Sequence, residues 1–215
     1  VVMARTDQGS QAGGISCFVV DKETDGLLFG AQERKLGWHS QPTASVIFDN
    51  CRVPSANMVG QPGDGFKIAM QGLDGGRLNI GACSLGGGQR CLDDAVGYVK
   101  ERRQFGQRIA DFQNTQFMLA DMKTQLEAAR ALLYIAADKV SKNAIDKTQW
   151  AAMAKLLTTE TGSKVVNDAL QLHGGYGFLR DFPVERFMRD LRVHEILEGT
   201  SQIMRFVIGR EIVAD

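Results

Sequence analysis

The chain has 215 residues, with 25 basic against 25 acidic side chains, 44% hydrophobic and 7% aromatic residues, the profile of a globular protein of one or two domains. A formal charge of zero leaves no excess of Lys and Arg to neutralise a phosphate backbone or an anionic leaflet, so nucleic acid and membrane surfaces are not expected partners. No run of about 18 uninterrupted apolar residues occurs, so no membrane span is expected.

Val1-Val2-Met3-Ala4 is strand-like and begins without a methionine, as a piece of something longer would. Pro42, Pro54 and Pro62 fall among short apolar runs bounded by Gly, Asp and Asn, which predicts strands over Ile15 to Asp21, Leu27 to Gly30 and Ser45 to Asp49. Between Pro62 and Pro183 the period becomes helical. A first helix is predicted from Phe66 to about Arg103, although Gly72, Gly75, Gly76, Gly81 and Gly86 to Gly88 each cost up to about 1 kcal/mol relative to Ala. So many glycines predict close approach of another helix or a ligand. Met118, Met122, Leu126, Ala129, Leu133, Ala136 and Val140 mark the apolar stripe of a second helix. Trp150, Ala154, Leu157, Thr161, Val165, Ala169 and Leu172 mark that of a third. Asp181-Phe182-Pro183 predicts a short capped helix, and Thr200 or Ser201 caps a last one to about Val213. The fold class is mainly α with a β segment: β structure over residues 1–61 and an antiparallel helical bundle over 62–215.

Cys17, Cys51, Cys83 and Cys91 have no C-x-x-C spacing and read as buried thiols; with only His39, His173 and His194 available, no metal site is expected. Gly86-Gly87-Gly88 lacks the G-x-G-x-x-G arrangement after a strand, which excludes a Rossmann or P-loop reading.

Glu198 lies between apolar Ile196-Leu197 and Gly199, just before a predicted helix. Turned inward beside apolar surface, it is a base for a weakly acidic C–H; turned outward, it only complements the helix dipole. Glu195 and Glu198 as paired carboxylates give a hydrolytic alternative, but a spacing of three in a turn says little about their separation. His194-Glu195-x-x-Glu198 lacks the second histidine of an H-E-x-x-H zinc helix. Arg102-Arg103-Gln104-Phe105-Gly106 suits a phosphate and a flat ring, or merely offsets a helix dipole. His173-Gly174-Gly175-Tyr176-Gly177 reads as a helix C-cap, and Asp74-Gly75-Gly76-Arg77 as a kink, a ligand contact or both.

Five strings taken in order are together far more specific than any one alone: Gly37-Trp38-His39-Ser40-Gln41-Pro42-Thr43, Leu73 to Arg77, Glu101 to Gly106, Leu172 to Gly177, and Leu197-Glu198-Gly199-Thr200-Ser201. With them the whole chain resembles the C-terminal half of an acyl-CoA dehydrogenase: part of the middle β domain followed by the C-terminal helical bundle.

The resemblance implies FAD-dependent α,β-dehydrogenation of an acyl-CoA, of the short branched, isobutyryl-CoA-like kind. It implies that Glu198 is the base for the α proton and that its backbone N–H polarises the thioester carbonyl. Arg102 matches an arginine on FAD phosphate, Phe105 an adenosine contact and Gln113 a further cofactor contact. These, with Gln171, His173, Gly174 and Gly175, would reach a neighbouring subunit's FAD. Thr200, Ser201 and Gln202 would touch FAD beyond the base, while Asp74, Arg77, Gly199 and Arg210 would meet the acyl-CoA. Branches of the family that carry the base in the earlier helix place it at the position of Gly76. Here that position cannot supply a base and Glu198 can. The family further implies a homotetramer or dimer, electron-transfer flavoprotein as electron acceptor, and the bacterial cytoplasm or mitochondrial matrix. It also implies an N-terminal helical domain and the first half of the β domain, which would cover the flavin ring, ahead of Val1. A non-catalytic assembly or binding module that retains the fold is the alternative.

Overall fold

Helix α1 runs from Gly65–Glu101 without a break in the computed structural model, which describes residues 1–213. Residues 214 and 215, the end of the expected bundle, lie outside the described residues. No proline falls in the helix, and its buried positions, among them Leu85, Leu92, Ala95 and Val99, recur every three, four or seven residues along one face.

By proximity of their Cα atoms the residues divide into two units: 1–35 with 39–73, and 36–38 with 74 onwards. In the first unit, β1 (Val2–Arg5), β2 (Ile15–Phe18) and β5 (Met58–Val59) form an antiparallel sheet in the order β1-β2-β5. Val2 pairs with Phe18 and Met3 with Cys17. Strands β3 (Leu27–Gln32) and β4 (Ala44–Phe48) form a separate antiparallel ribbon whose register shifts between Phe29 and Gln32. The predicted second strand thus ends at Phe18 rather than Asp21, and β5, two residues long, carries no alternation to detect.

The second unit is built on a helical hairpin. Helix α2 (Gln113–Ser141) buries Met122, Leu126, Ala129, Leu133 and Ala136, the expected stripe, against α3 (Lys147–His173). Burying each of the larger side chains contributes about 1.5–3 kcal/mol. On α3 the stripe is shifted in part: Ala154, Thr161, Val165 and Ala169 are buried, but Leu157 is exposed and Lys155 takes a place in the interior. A Cβ on Gly162 of α3 would meet the Ser84 carbonyl oxygen of α1 at 2.8 Å, and one on Gly88 would stand 3.5 Å from Gly162 Cα. Here the glycines allow two helix backbones to meet, as expected, whereas Gly72, Gly75 and Gly86 face open space.

Helix α4 (Val184–Leu191) starts after Pro183, and Asp181 gives it no side-chain cap. Helix α5 (Ser201–Ile212) is capped by Thr200, whose Oγ1 accepts from the Ile203 N–H at 3.2 Å. Leu36–Trp38 joins this unit through the Trp38 N–H, which donates to Asp190 Oδ1 at 2.6 Å. The thiols divide rather than all being buried: Cys17 and Cys91 are buried, Cys51 half-buried and Cys83 exposed. Burial pushes the Cys91 thiol up to about 12.

Candidate active site

A single turn of 3₁₀ helix over Arg192–Glu195 leads from α4 into the turn that carries Glu198. Glu198 has φ 56° and Gly199 φ 97°, two consecutive left-handed residues. A non-glycine residue there is uncommon and is held by its surroundings. Two cations supply that hold. Arg77 Nε reaches the Glu198 carbonyl oxygen at 3.5 Å, and Lys155 Nζ donates to the Gly199 carbonyl oxygen at 2.8 Å.

The turn directs the Glu198 carboxylate at the backbone of α1. A Cβ built on Gly76 would overlap Glu198 Oε2 and stand 2.8 Å from Cδ and 3.1 Å from Oε1. Asp74 and Arg77, on the same stretch of α1, form a buried ion pair at 3.1 Å, and Asp74 Oδ2 accepts from the Thr148 hydroxyl at 2.8 Å. Arg77, one of the expected acyl-CoA contacts, is therefore already committed to an internal chain running from Thr148 through Asp74 to the turn.

His194 closes the turn from the other side. Ser84 Oγ donates to the Ile80 carbonyl at 3.0 Å and lies 2.7 Å from His194 Nδ1. A hydroxyl has one proton, so Nδ1–H donates to Ser84. Trp38 meets the imidazole edge-on at 5.4 Å. Burial, and then the Lys155 cation, hold His194 below the ordinary histidine range, with Asp190 opposing.

The second group of expected residues gathers elsewhere in the same unit. After α1, β6 (Arg103–Gln104) and β7 (Gln107–Arg108) make a hairpin whose two-residue loop is Phe105-Gly106. Both loop residues have positive φ, 52° and 81°, a geometry that ordinarily selects Asn-Gly. Phe105 nevertheless occupies it and is 91% exposed. Behind it lies an open cavity of about 850 Å³ lined by Arg102, Phe105, Gln171, His173, Gly174 and Gly175 among others. His173 stacks on Tyr98 at 4.5 Å with Nδ1 donating to the Ala169 carbonyl, and Arg102 lies 5.3 Å over the Tyr176 ring. Gln113 is exposed and does not line this cavity, whereas its neighbour Asn114 does.

On α5, Ser201 is buried and its Oγ has no hydrogen-bond partner, while Gln202 and Arg210 are exposed, Arg210 pairing with Glu211 at 3.0 Å. Glu195 lies 3.5 Å from Arg192. Among the described residues, no cluster of three or more His, Cys, Asp and Glu is placed to hold a metal, and no helix is long and apolar enough to cross a membrane.

Sequence reading misses Lys155, Ser84, Thr148 and the bond made by His194. One signal was available for Lys155: the buried face of α3 reads Ala151, Lys155, Thr158, Gly162 at steps of three and four, so period alone puts this lysine inside.

Residues 63–213 match the model of a family described as "Acyl-CoA dehydrogenase, C-terminal domain". The mitochondrial isobutyryl-CoA dehydrogenase of Dictyostelium discoideum is 51% identical over 215 residues, which cover 100% of this chain and 52% of that protein. The structure of butyryl-CoA dehydrogenase from Megasphaera elsdenii superposes with a TM-score of 0.95 at 41% identity, over 99% of this chain and 55% of that one. A structure described as an electron transferring flavoprotein of Acidaminococcus fermentans gives a TM-score of 0.96 at 45% identity, over 100% of this chain and 56% of that one. The chain spans about half the length of the relatives it matches.

Proposed function

The chain belongs to the acyl-CoA dehydrogenase family, and from that premise we propose that it supplies the base and part of the cofactor site for α,β-dehydrogenation of a short branched-chain acyl-CoA. The observation that carries this reading is the Glu198 carboxylate, directed at the bare backbone of Gly76 by a turn whose two carbonyls are held by Arg77 and Lys155. Glu198 takes the proton from the carbon next to the thioester carbonyl. Its backbone N–H donates to that carbonyl oxygen and stabilises the charge that develops there. The reacting carbons lie beside that carboxylate, which itself fills the space over Gly76.

FAD, when bound, accepts the β hydrogen as hydride, so that a C=C bond is left between the α and β carbons. The residues present fit it. Arg102 offers a guanidinium to phosphate, Phe105 an exposed ring to the adenosine, and the backbone at Gly174 and Gly175 a surface without side chains. Ser201 Oγ, buried and without a partner, is a polar atom that a cofactor contact would satisfy. Gln171 and His173 complete that wall, which with Gln113 would meet a neighbouring subunit's FAD, while Thr200, Ser201 and Gln202 would touch FAD beyond the base. The acyl-CoA meets Asp74, Arg77, Gly199 and Arg210.

Likeness to the Dictyostelium discoideum enzyme supports an isobutyryl-CoA-like substrate. Likeness to the Acidaminococcus fermentans structure supports electron-transfer flavoprotein as acceptor. The family reading adds a homotetramer or dimer, in a bacterial cytoplasm or a mitochondrial matrix. The test is Glu198→Gln in the FAD-loaded enzyme that contains this chain. Dehydrogenation should collapse while flavin stays bound; retained turnover would remove Glu198 as the base.

A further inference from the structure

Lys155 has no exposed surface and is among the largest fully buried side chains of the molecule. A buried ammonium is unfavourable unless something compensates it, and a methionine would fill the same buried position without that cost. What it does make is specific. Nζ donates to the Gly199 carbonyl at 2.8 Å, in the Gly199–Thr200 peptide unit, one residue beyond Glu198.

The charges around it come from three elements. Glu195 and Glu198 face it from the turn and Glu160 from α3, while the Arg77 cation faces it from α1. His194, in the turn segment, feels the Lys155 charge. Burial holds the ammonium below the ordinary lysine range; Glu195 opposes this, Arg77 adds to it, and Glu198 opposes it further.

We infer that Lys155 is a positioning residue for the Glu198 base: its ammonium holds the Gly199 carbonyl and fixes two consecutive left-handed residues. Backbone conformation is what reaches the carboxylate. The left-handed φ at Glu198 aims the side chain at Gly76, where the carboxylate can accept a proton. The inference rests on the reading of Glu198 as the base, so its test must separate the two.

The experiment uses the FAD-loaded enzyme that contains this chain. Lys155→Met keeps the aliphatic stem and removes the ammonium. The expected result is a fall in kcat of about 10- to 100-fold, with KM for acyl-CoA and flavin content changed by less than about twofold. Lys155→Gln, which keeps a donor but no charge, should regain part of kcat. In a Glu198→Gln background, Lys155→Met should cost nothing further, since it acts through the base.

Unchanged kcat in Lys155→Met, with Glu198→Gln inactive, would overturn the inference and leave the base intact. Losses that multiply in the double variant would overturn it too. Failure of both Lys155 variants to fold would do the same, by making the ammonium a requirement of the bundle rather than of the turn. Full turnover by Glu198→Gln removes the base, and this inference with it.

Discussion

The carboxylate of Glu198 occupies the space in which a side chain at Gly76 would have to stand. Gly76 lies inside a 37-residue helix, where alanine is ordinarily better than glycine by about 1 kcal/mol. The two tendencies oppose each other, and the contact decides. Gly76→Ala is expected to keep or slightly raise helical stability, by less than about 1 kcal/mol, while pushing the carboxylate aside. Turnover should fall by about 10-fold or more, since displacing a base by an ångström is costly. A variant with normal turnover and an unshifted melting temperature would show that the overlap is absorbed elsewhere.

Asp74 and Arg77 are nearly enclosed, with side-chain exposures of 7% and 8%. Burying two charges brings little net stability, but removing one partner leaves the other uncompensated, at a cost of about 3–5 kcal/mol. Arg77→Met should therefore lower the melting temperature sharply, because Asp74 loses its Arg77 partner and keeps the Thr148 hydroxyl as a neutral donor. Asp74→Leu combined with Arg77→Met should recover much of the loss. If the double variant is as unstable as the sum of the singles, the pair is not the unit of stability.

How far the sequence could be read depends on the scale of each feature. The stripe of α2 was legible because Met122, Leu126, Ala129, Leu133 and Ala136 repeat with the helical period for the whole of its length. The caps were less so: Thr200 caps α5 as its residue type suggests, but Asp181 does not cap α4, since Pro183 already stands at the N-cap. Glu198 was marked by its neighbours, Gly199 and the helix start. Lys155 was not, because what defines it is a carbonyl 44 residues away, and periodicity reports which face is buried but never what waits there. The same holds for Ser84 and His194, 110 residues apart and 2.7 Å from each other.

His194 sets a pH dependence of stability. Its folded-state pKa lies below the ordinary value, through burial first and the Lys155 cation second. Above the unfolded value of about 6.5 both states are neutral and stability is full. As pH falls through that value, the unfolded chain binds the proton first, so stability declines until the folded state also protonates. Chemical denaturation followed between about pH 7 and 5 should show this slope. His194→Gln, which can still donate to Ser84, should flatten that part of the profile. An equal slope in the variant would assign the titration to another group.

Phe105 opposes local preference to hold an exposed ring at the edge of the cavity. At φ 52° in a two-residue hairpin loop, a bulky side chain is strained by about 1 kcal/mol or more, where asparagine fits without penalty. Phe105→Asn is therefore expected to leave stability unchanged or raise it by up to about 1 kcal/mol. If the ring stacks on the adenosine of FAD, the same substitution should weaken FAD binding by about 3- to 10-fold, the worth of an aromatic contact beyond its buried area. Titrating apo-enzyme with FAD and following flavin fluorescence measures the second effect; thermal unfolding without FAD measures the first. The pairing of outcomes is what identifies the residue. A stability gain with weaker FAD binding means that the strain is kept for the ligand. A gain with unchanged binding means that Phe105 serves neither the hairpin nor FAD, and the cavity wall would then rest on Arg102 and the Gly174–Gly175 backbone.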